Sequence, residues 1–334
     1  MKKLQCAVIG IGGIGKWHGQ MMQDTGQMKV CAVCDINEQM REVAKQEFPA
    51  ATFYTSADEM LSKEKLDLVG VITPHNLHAP LAIAALNAGA NVIVEKPFAT
   101  KYEDCLAVLE AARKNDRFAT VFHNRRLDGW FLAAQTVIDD GLLGNVFELN
   151  IAINFRPGPD TWRGWKEKSG GILFDWGAHL VDYALHLAGS EVAAVSGFLW
   201  RSPKIDPALN EDQGSVRIHF VSGAVANVVV SGTDHVPPHR YHLLGDKGTL
   251  VDEWQWQDTD KLKVYTRLSG GEQAVMEVPY RKTVPQLYYD NIADHFRKGT
   301  PLAVTGQSAA RVIDVLCTAE RSSLQGGVPL PLAG

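Results

Sequence analysis

Short apolar runs alternate with amphipathic stretches through the first 125 residues. Runs at 5–10, 29–35, 52–54, 68–73, 91–95 and 118–122 read as strands. Between them, 15–24, 37–47, 57–62, 80–87 and 102–114 carry apolar residues at helical spacing. Strand and helix alternating this often predict an α/β unit with a parallel sheet covered on both faces. After Arg126 the pattern changes. A helix over 130–139 leads to a long strand at 146–155, and β-branched segments follow at 192–200, 215–220, 225–231, 241–244, 249–251 and 262–267. Their turns fall at Ser222-Gly223, Gly245-Asp246 and Ser269-Gly270-Gly271. This predicts an α+β domain with a large, mostly antiparallel sheet, closed by helices at 286–298 and 308–323. The expected domains are 1–125 and 126–334, in keeping with a length of 334 residues. The segment 224–230 is apolar at nearly every position, which suggests burial on both faces, one of them against another subunit.

The strand ends carry the chemistry. Gly10-Ile11-Gly12-Gly13-Ile14-Gly15 is a G-x-G-x-x-G directly after the first strand, and Asp35 closes the second, 20 positions beyond Gly15. In such a turn Gly10 allows the bend, Gly12 lets the backbone approach a pyrophosphate, and Gly15 lets helix and sheet pack closely. The free N–H groups at the helix start favour an anion beside Gly12, Gly13 and Ile14. Asp35 would accept hydrogen bonds from a ribose diol and repel a 2′-phosphate, so NAD is expected and NADP disfavoured. Thr73-Pro74-His75-Asn76-Leu77-His78, Glu95-Lys96-Pro97 and His123-Asn124-Arg125-Arg126 follow three further strands. Ligands of open α/β sheets bind outside the carboxyl ends of the strands, so these residues are expected to line one crevice. The Lys96–Pro97 bond is one at which the cis isomer is an option.

The segment 170–187 reads as one helix ended by Gly189, with Asp175, His179, Asp182 and His186 on one stripe. A solvated face would include Lys or Arg, whereas this stripe holds two acids and two histidines. It reads as the lining of a pocket, with a satisfied buried network as the alternative. An ionised Asp one turn before a His raises its pKa and fixes its tautomer, which suits a general base. Neither this stripe nor His235, His239 and His242 has a thiolate or a zinc-type spacing, so no metal is expected. Trp162, Trp165 and Trp176 surround Arg163 in sequence and could stack on a sugar ring or pack a core.

Composition narrows the classes. Hydrophobic residues at 46% and charged residues at 21% exclude a disordered chain, and a net charge of −5 argues against a nucleic-acid partner. No run of 18 uncharged apolar residues suggests a membrane span, and the N-terminal residues read as a first strand and not as a leader. Five cysteines without a framework favour a reducing cytoplasm, and Cys31 and Cys34 would point to opposite faces of a strand.

Together these motifs resemble the Gfo/Idh/MocA family of NAD(P)-dependent oxidoreductases, over nearly the whole chain. The resemblance rests on 10–15, 73–78 with the helix to Gly89, Glu95-Lys96-Pro97, 170–182 and the closing stretch 289–330. It implies a doubly wound Rossmann domain followed by an open-faced sheet domain, assembled into dimers or tetramers through those sheets. It implies a small-molecule sugar or cyclic polyol as substrate, with Lys96, Asp175 and His179 at the catalytic positions. Gly10, Gly12, Gly13, Ile14, Asp35, Thr73, Pro74, Asn76, His78, Glu95 and Lys96 would hold the cofactor, and Asn124, Arg126, Trp162 and Arg163 the substrate. Two other functions occur within the resemblance: a glycosidase that oxidises its substrate transiently, and a non-catalytic NAD-binding regulator.

Overall fold

The computed structural model describes residues 2–236, 238–253 and 260–334. Pro237, between the His235 and His239 considered above, lies outside the described residues. The chain divides into two compact units, Met1–His123 with Pro285–Arg311, and Asn124–Val284 with Val312–Gly334.

The first unit begins β1 (Leu4–Ile9), α1 (Gly13–Asp24), β2 (Met28–Cys34), α2 (Met40–Glu47), β3 (Thr52–Tyr54) and α3 (Ala57–Lys63). It continues β4 (Leu68–Val71), α4 (His78–Asn87), β5 (Asn91–Val94), α5 (Tyr102–Lys114) and β6 (Ala119–Val121). The six strands are all parallel, in the order β3-β2-β1-β4-β5-β6. This is the doubly wound order, in which the chain reverses direction between β1 and β4. Every residue of β4 and β6 is buried, because helices cover both faces. Cys31 is half-buried and Cys34 buried in β2, and all five cysteines are free. The Lys96–Pro97 peptide bond is cis.

The second unit holds α6 (Gly129–Asp139), β7 (Val146–Asn154), α7 (Lys166–Ser169) and α8 (Trp176–Ala188). Then come β8 (Val192–Trp200), β9 (Gln213–Phe220), β10 (Val225–Ser231), β11 (Tyr241–Gly245), β12 (Gly248–Asp252), β13 (Lys261–Arg267) and β14 (Gln273–Pro279). Its eight strands run β14-β13-β12-β11-β7-β10-β9-β8, antiparallel except for β10 beside β7. Burial alternates along β7, with Leu149, Ile151 and Ile153 in the core. In β10, Ala226, Val228 and Val230 face the same core, while Val225, Asn227 and Val229 are half-buried on the opposite face. That opposite face is partly polar: Asn227 Nδ2 donates to Asn150 Oδ1 at 2.8 Å, and Arg217 donates to Asn227 Oδ1 at 3.2 Å.

Three expectations change. The strand β14 was not foreseen; it is an edge strand without a fully buried residue, so alternation marks it poorly. Two further helices are α9 (Gln286–Lys298) and α10 (Gly306–Leu324), and residues 285–311 belong to the first unit instead of the second. The cause is aromatic: Tyr288 and Tyr289 of α9 pack on Phe122 at ring separations of 4.9 and 5.9 Å. Thr120 Oγ1 adds hydrogen bonds to the Tyr288 hydroxyl and the Val304 carbonyl. Finally, the expected helix over 170–187 is broken. Gly170 and Gly171 adopt left-handed φ values of 90° and 121°, Ile172–Phe174 form a 3₁₀ turn, and α8 starts only at Trp176. Asp175 is therefore the residue before α8, not part of its body. Gly189 ends α8 in the left-handed conformation, as expected. Among the described residues no helix is long and apolar enough to cross a membrane.

Candidate active site

In the first unit the glycine turn joins β1 to α1. Gly10 has φ +88°, and a Cβ there would sit 2.0 Å from the Ile72 carbonyl oxygen. A Cβ on Gly15 would lie 1.9 Å from the Gly10 oxygen. Gly12 and Gly13 meet nothing within 4 Å, so their backbone is open to an approaching group. Gly12 precedes α1 without a side-chain cap, which leaves the first N–H groups of the helix without an intrahelical acceptor. Ile14 is 42% exposed beside this turn. Asp35 does more than expected. Its Oδ2 accepts the Ile11 N–H at 3.0 Å and its Oδ1 the Asn37 N–H at 2.9 Å, tying the glycine turn to the end of β2. Each oxygen keeps a lone pair for a further donor.

Beyond β4, Thr73 and Pro74 are half-buried, Asn76 is exposed, and Pro74 starts the turn His75–Leu77. His78, expected at the cofactor, is bound within the protein. Its ring is fully buried, with Nδ1 2.7 Å from the Pro97 carbonyl and Nε2 3.0 Å from the Thr73 carbonyl. Burial lowers its pKa and outweighs the two carbonyls, which raise it; the ring lies between the two loops. Glu95 is likewise turned inward. Its Oε1 meets His18 Nε2 at 3.1 Å, and its Oε2 accepts the Lys96 backbone N–H at 2.7 Å. Burial pushes this carboxyl up, but the His18 hydrogen bond and the neighbouring charges of His18, Lys96 and His78 overcome it, and its pKa is lowered. His18, unnoticed in the sequence, also hydrogen-bonds through Nδ1 to the Tyr289 hydroxyl. Lys96 itself is half-buried.

In the second unit Asp175, His179 and Asp182 are 6%, 5% and 2% exposed. Asp175 makes no capping hydrogen bond to α8, and its Oδ2 pairs with Arg163 Nε at 3.5 Å. Arg163 also lies 4.4 Å over the Trp162 ring. Asp182 is taken up by Arg126, whose Nε and Nη2 donate to its two oxygens at 2.9 and 2.6 Å. An Arg–carboxylate fork this deeply buried is held by both partners, since loss of either leaves an uncompensated charge. Arg126 is thus held to α8 through Nε and Nη2. His186, at the far end of α8, has a pKa lowered by burial and by the Arg126 charge. Beside His179, at a ring separation of 5.6 Å, stands Trp176, with Arg125 4.5 Å over its ring and pinned by Asp128 at 3.0 Å. Asn124 opens the 3₁₀ turn that carries both arginines. His239 and His242 lie 6.4 Å apart as rings, and among the described residues no group of three or more His, Cys, Asp or Glu is arranged to hold a metal.

Residues 4–123 match the family model for the NAD-binding Rossmann fold of the Gfo/Idh/MocA oxidoreductases, and residues 131–251 match that for the Gfo/Idh/MocA C-terminal domain. The chain belongs to the Gfo/Idh/MocA family. It is similar to the scyllo-inositol 2-dehydrogenase (NADP(+)) of Bacillus subtilis, 26% identical with 96% of this chain and 95% of that protein covered. It is also similar to the myo-inositol 2-dehydrogenase of Thermotoga maritima, 25% identical over 96% of each. The crystal structure of an NAD-binding protein from Listeria innocua superposes with a TM-score of 0.87, at 27% identity over 100% of this chain and 98% of that one. The protein is an NAD(P)-dependent oxidoreductase of this family.

The Gfo/Idh/MocA nucleotide site fits its cofactor in this chain. The open backbone at Gly12 and Gly13 suits a pyrophosphate, and a Cβ would fill that space without touching the protein. Gly12→Val should therefore keep its thermal midpoint within a few degrees while weakening NAD binding by roughly a hundredfold, since the backbone N–H groups lose their approach to the phosphates. Calorimetric titration and a melting curve on one sample check both halves. A variant that still binds NAD at wild-type affinity would remove this turn from the site.

Proposed function

We propose that the protein transfers a hydride between nicotinamide and one secondary hydroxyl or carbonyl of a sugar, sugar derivative or cyclic polyol. The observation that carries the reading is the pair of buried titratable side chains one turn apart at the start of α8, Asp175 and His179, inside the family's second domain. The inositol dehydrogenases named above favour net oxidation over the hydrolase and regulator alternatives.

In the oxidising direction His179 takes the hydroxyl proton, and Asp175 holds the imidazole and stabilises it once charged. Lys96 stabilises the developing alkoxide with its ammonium. When bound, the nicotinamide supplies the hydride acceptor. Arg163 restrains Asp175 and, with Trp162 and Asn124, contributes to the substrate pocket. Asp35 disfavours a 2′-phosphate, which supports NAD over NADP. Since a relative of similar overall identity uses NADP, that preference rests on Asp35 alone. The reading includes a cytoplasmic enzyme, assembled as a homodimer or homotetramer through the outer face of the eight-stranded sheet.

The test is nicotinamide absorbance with a panel of inositols, aldoses and glycosides, each with NAD and with NADP. Turnover with one stereochemical set and NAD is the expected result. Sugar release without net NADH would replace the dehydrogenase by the glycosidase. Tight NAD binding with no reaction of any kind would favour the regulator.

A further inference from the structure

We propose that His18 is a positioning residue for Lys96, acting through Glu95; the inference rests on the role given to Lys96 above. A single hydrogen-bonded chain connects α9 to the backbone at Lys96. The Tyr289 hydroxyl bonds His18 Nδ1, His18 Nε2 lies 3.1 Å from Glu95 Oε1, and Glu95 Oε2 accepts the Lys96 N–H at 2.7 Å. Glu95 can only accept, so His18 Nε2 carries a hydrogen.

His18 is 0% exposed and Phe122 packs against its ring at 4.4 Å, so it cannot touch substrate and cannot turn away from Glu95. With both oxygens engaged, the Glu95 carboxylate has no rotational freedom left. The strand does not need this chain for its own pairing, because the Glu95 backbone N–H already bonds the Val71 carbonyl at 3.0 Å. A buried acid held by a buried histidine is an expensive way to fill a core that apolar residues would fill more cheaply. Its product is a fixed backbone orientation at position 96, from which the lysine side chain departs.

The experiment compares His18→Phe, His18→Gln and Tyr289→Phe for kcat, KM for NAD and melting temperature, with Lys96→Ala alongside. Misplacing a reacting group by about 1 Å costs on the order of a hundredfold, so His18→Phe should lower kcat by roughly 10- to 100-fold with KM for NAD within about twofold. In His18→Gln the side-chain amide still donates to Glu95, and kcat should recover most of the loss. Tyr289→Phe removes the hydrogen-bond partner of Nδ1 and should lower kcat by a smaller factor; it decides the matter if His18→Phe does not fold. Equal losses in the Gln and Phe variants, or a loss confined to KM for NAD, would overturn the proposal. Wild-type kcat in His18→Phe and Tyr289→Phe beside an inactive Lys96→Ala overturns it alone. An active Lys96→Ala enzyme overturns the role of Lys96 as well.

Discussion

Lys96→Ala should lower kcat by roughly 10²- to 10³-fold while leaving the dissociation constant for NAD within a few-fold of wild type. The asymmetry follows from where charge develops. An ammonium facing an oxygen that becomes an alkoxide interacts weakly with the neutral hydroxyl and strongly with the anion, so its loss is felt in the transition state. On the proposed reading the nucleotide is held elsewhere, by the turn around Gly12 and Gly13 and by Asp35 at the end of β2. The backbone at position 96 should survive the change, because the Glu95 carboxylate accepts the main-chain N–H, which alanine keeps. Stopped-flow turnover and equilibrium NAD binding on the same preparation separate the two effects. A kcat within threefold of wild type would end the case for Lys96, and a parallel loss of NAD binding would make it a nucleotide-binding residue instead.

Strands β1, β4, β5 and β6 were legible in the sequence because all or nearly all of their residues are buried, so each reads as an apolar run between turn residues. The glycine turn was legible for a related reason: steric demand at Gly10 and Gly15 is local, so the pattern around them stays local too. What could not be read is what depends on distant partners. The amphipathic pattern of α9 announces a buried face but not the unit that buries it, and that unit proved to be the first. His18 sits three positions after Gly15 on an apolar helix face, and its partners Glu95 and Tyr289 are 77 and 271 residues away. Its one visible signal was a lone imidazole among apolar neighbours. The stripe on α8 shows the same limit from the other side. The periodicity grouped four polar residues by spacing, and Asp182 does lie 3.8 Å from His186, but it could not show that Arg163 and Arg126 come from other loops to pair with Asp175 and Asp182. Two glycines in left-handed conformation then move Asp175 off the helix altogether.

His179→Ala should reduce kcat by roughly 10²- to 10⁴-fold, and the shape of what remains is more telling than its size. A base must be neutral to take the hydroxyl proton, so kcat/KM for alcohol oxidation falls as pH drops through the titration of that base. For carbonyl reduction the same ring must be protonated to donate, and the rate falls as pH rises through the same titration. One residue therefore accounts for opposite limbs in the two directions, which no purely structural role can imitate. In His179→Ala the residual activity should lose the acid limb in oxidation and the alkaline limb in reduction. In Lys96→Ala both should persist, because the base is intact. Asp175 keeps its contact to Arg163 when the ring is removed, so the variant should not carry a bare buried carboxylate and should fold. Persistence of the acid limb in His179→Ala would mean that another group takes the proton. Its counterpart at the far end of α8, His186, is held by burial and the Arg126 charge toward the neutral form; for that group to be the base, His186→Ala would have to remove the limb that His179→Ala leaves.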